Sequence, residues 1–154
     1  MKEENAQRST PNAQRSKAEA RLESDPKFDL EDRLLEYAAR IIRLADSLEN
    51  TRAGTHIANQ ILRSGTSPLP NHGEAQAAES VDDFIHKIRV CLKELRETRR
   101  WLRLIRNVPL VKKPERVDAM IDETVELIRI FAASVRTASA RSLRKRPRPS
   151  SPPE

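Results

Sequence analysis

Residues 80–106 carry two separate helical faces, and this stretch constrains the fold more than any other part of the sequence. At 100° per residue, one arc about 100° wide is apolar. It comprises Phe84, Ile88, Cys91, Leu95, Thr98, Leu102 and Ile105. A second arc of about 120°, the basic stripe, is cationic. It comprises Arg89, Lys93, Arg96, Arg99, Arg100 and Arg103. The pattern predicts an amphipathic helix that buries its apolar seam against other helices.

A similar spacing of apolar residues predicts a helix that begins near Asp29. Its core seam comprises Leu30, Leu34, Ala38, Ile41, Ala45 and Leu48. Three more apolar residues, Leu35, Ala39 and Ile42, lie beside this seam. The extra apolar surface fits either a wide core face or contact with a neighbouring subunit. Residues 50–54 are expected to break the helix.

Two prolines interrupt the next helical segment, which is expected to begin with Thr55 as its cap. Pro68 and Pro70 each lack an N–H and clash with the preceding turn, so we expect a kink within residues 67–71. Helix should then resume over residues 74–79. Small residues, Gly65 and Gly73 among them, would allow another backbone to approach closely.

The last helix is expected to begin near Pro114, a residue suited to a first helical turn. Its predicted seam comprises Val117, Ile121, Val125, Ile128, Ala132 and Val135. Met120, Leu127 and Phe131 widen that seam, and the helix should fray within residues 138–143. Few glycines (3 in the chain) and the absence of long β-branched runs argue against a sheet. The sequence therefore predicts an all-α fold.

The net charge of +6 is distributed unevenly. Residues 28–135 hold 17 basic and 17 acidic groups, whereas residues 136–154 hold 6 basic groups and one acid. We expect one bundle domain over residues 28–140. Residues 1–27 form a polar tail and residues 141–154 a basic, proline-rich tail, and both compositions are typical of disorder.

Motifs for catalysis are missing from the sequence. Walker, dinucleotide-binding and nucleophile-elbow patterns are absent. His72 and Glu74 match half of a zinc deaminase signature, which also requires two cysteines, and only Cys91 exists. His56, His72 and His86 lack the spacing of a helical zinc pair. We therefore expect no enzyme activity, no metal and no cofactor.

The same features bear on where the chain resides. The single cysteine and the lack of an apolar leader or a long apolar run predict a cytoplasmic protein without a membrane span.

Two interpretations of the basic stripe remain open. It is either a solvated, ion-paired surface or a site for RNA or DNA, because phosphate backbones favour arrays of Lys and Arg. Glu94 and Glu97 are expected to pair with nearby cations, which would neutralise part of the stripe. Further candidate contacts are Lys112, Lys113, Arg144, Lys145, Arg146 and Arg148. The alternative function is a structural or protein-interaction scaffold that binds no nucleic acid.

The central part of the sequence resembles a known family. The residues that carry the resemblance are RSGTS (63–67), Asn71, EAQAAES (74–80), DFIHK (83–87), LKELRET (92–98) and Trp101–Leu102. They are similar to the bacterial four-helix-bundle proteins called ribosomal-RNA intervening-sequence proteins. The similarity extends more weakly over residues 28–138. Pro68, Leu69 and Pro70 depart from the small or aliphatic residues usual there.

This resemblance implies an antiparallel, left-handed up-and-down bundle of four helices. It also implies a ring-shaped homopentamer with a central channel, and no catalytic residues. A related accessory protein of diversity-generating retroelements resembles a basic pentameric barrel that binds nucleic acid and a reverse transcriptase. We therefore expect a homo-oligomer that binds RNA or DNA, or another protein. The candidate subunit contacts are Leu35, Ala39, Ile42 and Trp101.

Overall fold

The computed structural model describes residues 26–108 and 110–145. Five helices span Pro26–Asp46 (α1), Arg52–Thr66 (α2), Pro68–Gln76 (α3), Val81–Asn107 (α4) and Glu115–Lys145 (α5). Because α2 and α3 together form one bent arm, the architecture is a four-helix bundle, and the described residues contain no strand. The predicted all-α, up-and-down bundle is confirmed.

Side-chain contacts fix the order of the arms. Arg106 near the end of α4 pairs with Asp118 at 2.8 Å, and Ser142 near the end of α5 lies 3.4 Å from Asp82, so α4 and α5 are antiparallel. The bent arm packs between α1 and α4. Tyr37 of α1 closes the bundle against α5 through a hydrogen bond of 2.7 Å between its hydroxyl and that of Thr124.

The bend in the second arm lies where the prolines predicted it. Ser67 keeps helical dihedrals (φ −56°, ψ −35°), and Pro68 is the first residue of α3. At this position no intrahelical hydrogen bond requires a backbone N–H, so proline is tolerated. Asn71 reinforces the turn by donating to the carbonyl oxygen of Ser67 at 2.9 Å. The expected restart at residue 74 is wrong, because α3 begins at Pro68. It ends at Gln76 rather than at residue 79.

Other helix ends differ from expectation. Thr51, not Thr55, caps α2, because its hydroxyl accepts a hydrogen bond from the Gly54 N–H at 3.0 Å. Gly54 therefore lies inside the helix, where a Cβ atom would meet the Glu49 carbonyl oxygen at 1.9 Å.

The first helix begins at Pro26, three residues earlier than expected. The last helix continues to Lys145, so residues 141–145 of the expected tail are helical. The rest of both tails, residues 1–25 and 146–154, lies outside the described residues.

The predicted seam of α4 is confirmed. All of its members are buried except Phe84, which is half-buried. Cys91 is among the buried residues, its sulfur lies 3.6 Å from the carbonyl oxygen of Pro68, and burial raises the pKa of its thiol to about 12.

The predicted seam of α5 is confirmed in part, because the buried centre of the helix lies on Val117 and on the three residues expected only to widen the seam. Its buried residues are Val117, Met120, Thr124, Leu127 and Phe131, whereas the predicted Ile121, Val125, Ile128, Ala132 and Val135 are half-buried. Thr124 is fully buried because its hydroxyl is satisfied twice. It bonds the hydroxyl of Tyr37 and donates to the carbonyl oxygen of Met120 at 2.6 Å. A polar residue therefore sits at the centre of the seam.

Candidate nucleic-acid interface

The side chains of the basic stripe all lie on the solvent face of α4. Ser80 starts the helix by accepting a hydrogen bond from the Asp83 N–H at 3.1 Å. The apolar seam of α4 faces the other arms, which leaves the six cations exposed. Arg89 and Arg103, the ends of the stripe, are 14 residues apart, or about 21 Å along the axis.

The nearby carboxylates do not neutralise this stripe. Glu94 and Glu97 both turn toward Arg63 of α2, with 3.5 Å between Arg63 and Glu94 and a direct hydrogen bond between Arg63 and Glu97. The expectation that they pair with a nearby cation is therefore correct, but the cation comes from another helix. Within residues 26–108 and 110–145, no ion pair involves a member of the stripe. The stripe therefore presents six positive charges without a described acidic partner.

The remaining basic candidates lie at opposite ends of α4. Lys112 and Lys113 are exposed in the loop that follows the C-terminal end of α4. Arg144 is exposed on α5 near the start of α4. The 27 residues of α4 separate the two groups by about 40 Å. The side chain of Lys145, and all of Arg146 and Arg148, lie outside the described residues.

The candidate subunit contacts form two patches on different helices. Leu35 is 57% and Ile42 is 45% exposed on α1, and Ala39 between them is half-buried. Trp101 is half-buried on α4, where its Nε1 donates to Glu97 at 3.3 Å and its ring lies edge-on to His56, with centroids 6.3 Å apart. The structure does not bring Trp101 to the α1 patch within one chain.

The histidines are separated by the fold. His56 contacts Trp101, His72 packs edge-on against Phe131 with ring centroids 6.0 Å apart, and His86 is exposed. Among the described residues, no three His, Cys, Asp or Glu side chains gather where they could hold a metal ion. None of the helices in this part of the chain is long and apolar enough to cross a membrane.

Sequence reasoning missed two groups of residues. Arg63 pairs with both glutamates of α4, yet it lies about 30 residues away in the chain, so local spacing gives no signal for the contact. Arg136 and Arg141 line a groove at the end of the bundle with Arg144. Their spacing within an alanine- and serine-rich stretch could have indicated one basic helix face.

Four antiparallel arms with a bent second arm and no described strand define the molecule as an up-and-down four-helix bundle. The family model of the 23S rRNA-intervening sequence proteins matches residues 27–133, and the chain belongs to this family. A crystal structure of a protein with unknown function from the S23 ribosomal protein family of Bacteroides thetaiotaomicron VPI-5482 is 36% identical. The match covers 68% of this chain and 96% of that one, with a TM-score of 0.61. No curated protein matches the sequence.

Proposed function

We propose that this protein is a non-enzymatic, cytoplasmic, ring-forming bundle that binds RNA or DNA through phosphate contacts without base specificity. The observation that carries the proposal is the basic stripe: six exposed cations on one face of α4, none paired with a described acid. Lys and Arg arrays bind phosphates and release counterions, whereas base reading needs contacts with base edges or stacking aromatics. The one tryptophan of the chain contacts His56 and Glu97 instead of lying within the stripe.

The test is fluorescence anisotropy with labelled duplex DNA and duplex RNA of unrelated sequences, at salt concentrations from about 50 to about 200 mM. Affinity should depend steeply on salt and little on sequence. Arg96→Glu with Arg100→Glu should weaken binding and flatten the slope of log affinity against log salt on DNA by about 1.8, since each lost phosphate contact contributes about 0.9.

A matched control separates the position of the charges from the net charge of the chain. Arg43→Glu with Arg129→Glu makes the same charge change on α1 and α5, at side chains that are 69% and 70% exposed. This control should leave most of the affinity. If both double variants bind equally, the stripe is not the interface, and a solvated surface explains it. Arg146→Gln with Arg148→Gln tests the contribution of the tail in the same assay.

Exposed apolar residues on α1 support a second part of the proposal, a homopentamer, and also the alternative of a protein-interaction scaffold. A closed ring joins two different patches of neighbouring subunits, and the α1 patch (Leu35, Ala39 and Ile42) and the Trp101 patch are two such surfaces. Light scattering should give five times 17.6 kDa, or 88 kDa. Leu35→Glu with Ile42→Glu should release smaller species.

Val81→Glu with Leu143→Glu is the control for the ring, because it places the same charges on exposed apolar residues away from both patches. A monomer mass for the wild-type chain would contradict the ring. If the protein forms the ring but binds neither DNA nor RNA, the result favours the alternative function, a protein-interaction scaffold.

A further inference from the structure

A groove of about 1690 Å³ runs along the end of the bundle where α3 meets α4. Residues 130–144 of α5 form one wall, and residues from 75 to 84 form the other. Many of the lining residues are small or apolar, and Val81 among them is 40% exposed. The groove therefore presents apolar surface that the described part of the bundle leaves open.

The groove begins at the level where α1 begins. Arg33 of α1 is held to Glu123 of α5 by two hydrogen bonds, of 2.6 and 3.0 Å. Pro26 lies seven residues before Arg33, about 10 Å along the axis, and α1 runs antiparallel to α5. By this ion pair Pro26 is level with Ile130 of α5, and by the Tyr37–Thr124 contact it is level with Val135, so α1 begins beside the first part of the groove. A segment attached to Pro26 therefore starts within reach of the groove.

The groove is positively charged. Three arginines and one glutamate line it, namely Arg136, Arg141, Arg144 and Glu79, which gives a formal charge of +2. None of the three arginines forms an ion pair with a described residue. An acidic ligand with small side chains would match both the charge and the shape of this surface.

The segment directly before α1 has these properties. Residues 18–25, AEARLESD, hold three acids and one base, so their formal charge is −2. The rest of the segment is small except for Leu22, which could contact the apolar wall. Eight extended residues span at most about 29 Å, and the groove runs about 21 Å along α5, so the segment is long enough.

We propose that residues 18–25 of the same chain occupy this groove and complete the bundle beyond the start of α1. Attachment to Pro26 gives the segment a high effective concentration at the groove, which a segment of a second copy would lack. The opposite charges add an attraction that salt should weaken. The proposal does not depend on nucleic-acid binding by α4.

Cross-linking in the full-length chain tests this placement. Ala20→Cys is combined either with Ala133→Cys, an exposed position that lines the groove, or with Gly73→Cys. Gly73 lies at the same end of the bundle but outside the groove, where an added Cβ meets nothing within 4 Å. The native thiol of Cys91 is buried and should react slowly. A short bismaleimide should link residue 20 to residue 133 several-fold faster than to residue 73, and the product should have the mass of one chain.

Charge reversal in the segment supplies the second measurement. Glu19→Lys with Glu23→Lys should slow cross-linking to position 133 to the rate of the Gly73→Cys control, while Glu3→Lys with Glu4→Lys should leave it unchanged. Higher salt should reduce the difference between positions 133 and 73. Equal rates at both positions in the otherwise unmodified chain would overturn the proposal. Products with the mass of two chains would also overturn it, because the occupant would then be a second copy.

Discussion

Gly65 of α2 packs directly against Ile41 of α1, and adding a single methyl group there should destabilise the protein. A Cβ atom on Gly65 would lie 2.8 Å from both Cγ atoms of Ile41 and 3.0 Å from its Cδ1. Ile41 is 0% exposed, so its side chain has no free space into which it could turn. The two helices would have to separate, or Ile41 would have to leave its preferred rotamer.

The magnitude follows from two opposing effects of Gly65→Ala. Alanine in a helix interior is favoured over glycine by about 0.5–1 kcal/mol. Overpacking of a buried site costs about 1–3 kcal/mol. The net loss in the free energy of unfolding should be about 0–2.5 kcal/mol, centred near 1 kcal/mol. Gly73→Ala is the matched control, since its added Cβ meets nothing within 4 Å. That variant should gain about 0.5–1 kcal/mol, because only the helical preference acts.

Urea unfolding of the two variants measures the difference, and a double-mutant cycle identifies its cause. Ile41→Ala alone should cost about 2–5 kcal/mol. In that background Gly65→Ala should no longer destabilise, because the three clashing atoms are gone, so the double variant should lose less stability than the sum of the two single losses. A Gly65→Ala variant as stable as Gly73→Ala would refute the close contact between α1 and α2.

Three further substitutions test the interior. Leu95→Asp places a carboxylate at a fully buried position of α4 and should cost several kcal/mol, so an unchanged thermal melt would contradict the assigned seam. Tyr37→Phe removes the contact with Thr124, which still donates to Met120, and should cost about 1 kcal/mol in urea unfolding. Burial lowers the pKa of His72, although the charge of Glu31 opposes the shift. As the pH falls, His72 therefore takes up its proton at a higher pH in the unfolded chain than in the folded one. Stability should fall as the pH drops below about 6.5, and His72→Gln should remove this part of the pH dependence.

Regular spacing explains which parts of the fold were predictable. The seam of α4 repeats every three or four residues with mostly apolar members, so the periodicity located its buried face correctly. Proline chemistry located the bend at Pro68 for a similarly local reason. Thr51 and Thr55 illustrate the limit of local rules, because both are acceptable caps and only the backbone around Gly54 selects Thr51.

Contacts between distant residues explain the failures. Hydrophobicity alone placed the seam of α5 on its aliphatic side. Thr124 could be buried because Tyr37, 87 residues away, donates a hydrogen bond to its hydroxyl, whose own hydrogen goes to Met120. The second buried pair, Ser64 and Thr98, has the same property, with a hydroxyl–hydroxyl distance of 3.0 Å across 34 residues. Neither pair could be found from spacing within one helix.

The charge of the candidate interface also depends on a residue outside α4. Glu97 lies four residues after Lys93 and three before Arg100, so either cation of the stripe could pair with it along the helix. Arg63 of α2 pairs with Glu97 and Glu94 instead, because the last turn of α2, just before Ser67, packs against this part of α4. In the folded bundle the cations of the stripe are therefore left without a described acidic partner. The packing of α2 that buries Ser64 beside Thr98 is the same packing that pairs Glu94 and Glu97 with Arg63 and leaves the cations of α4 without a described acidic partner.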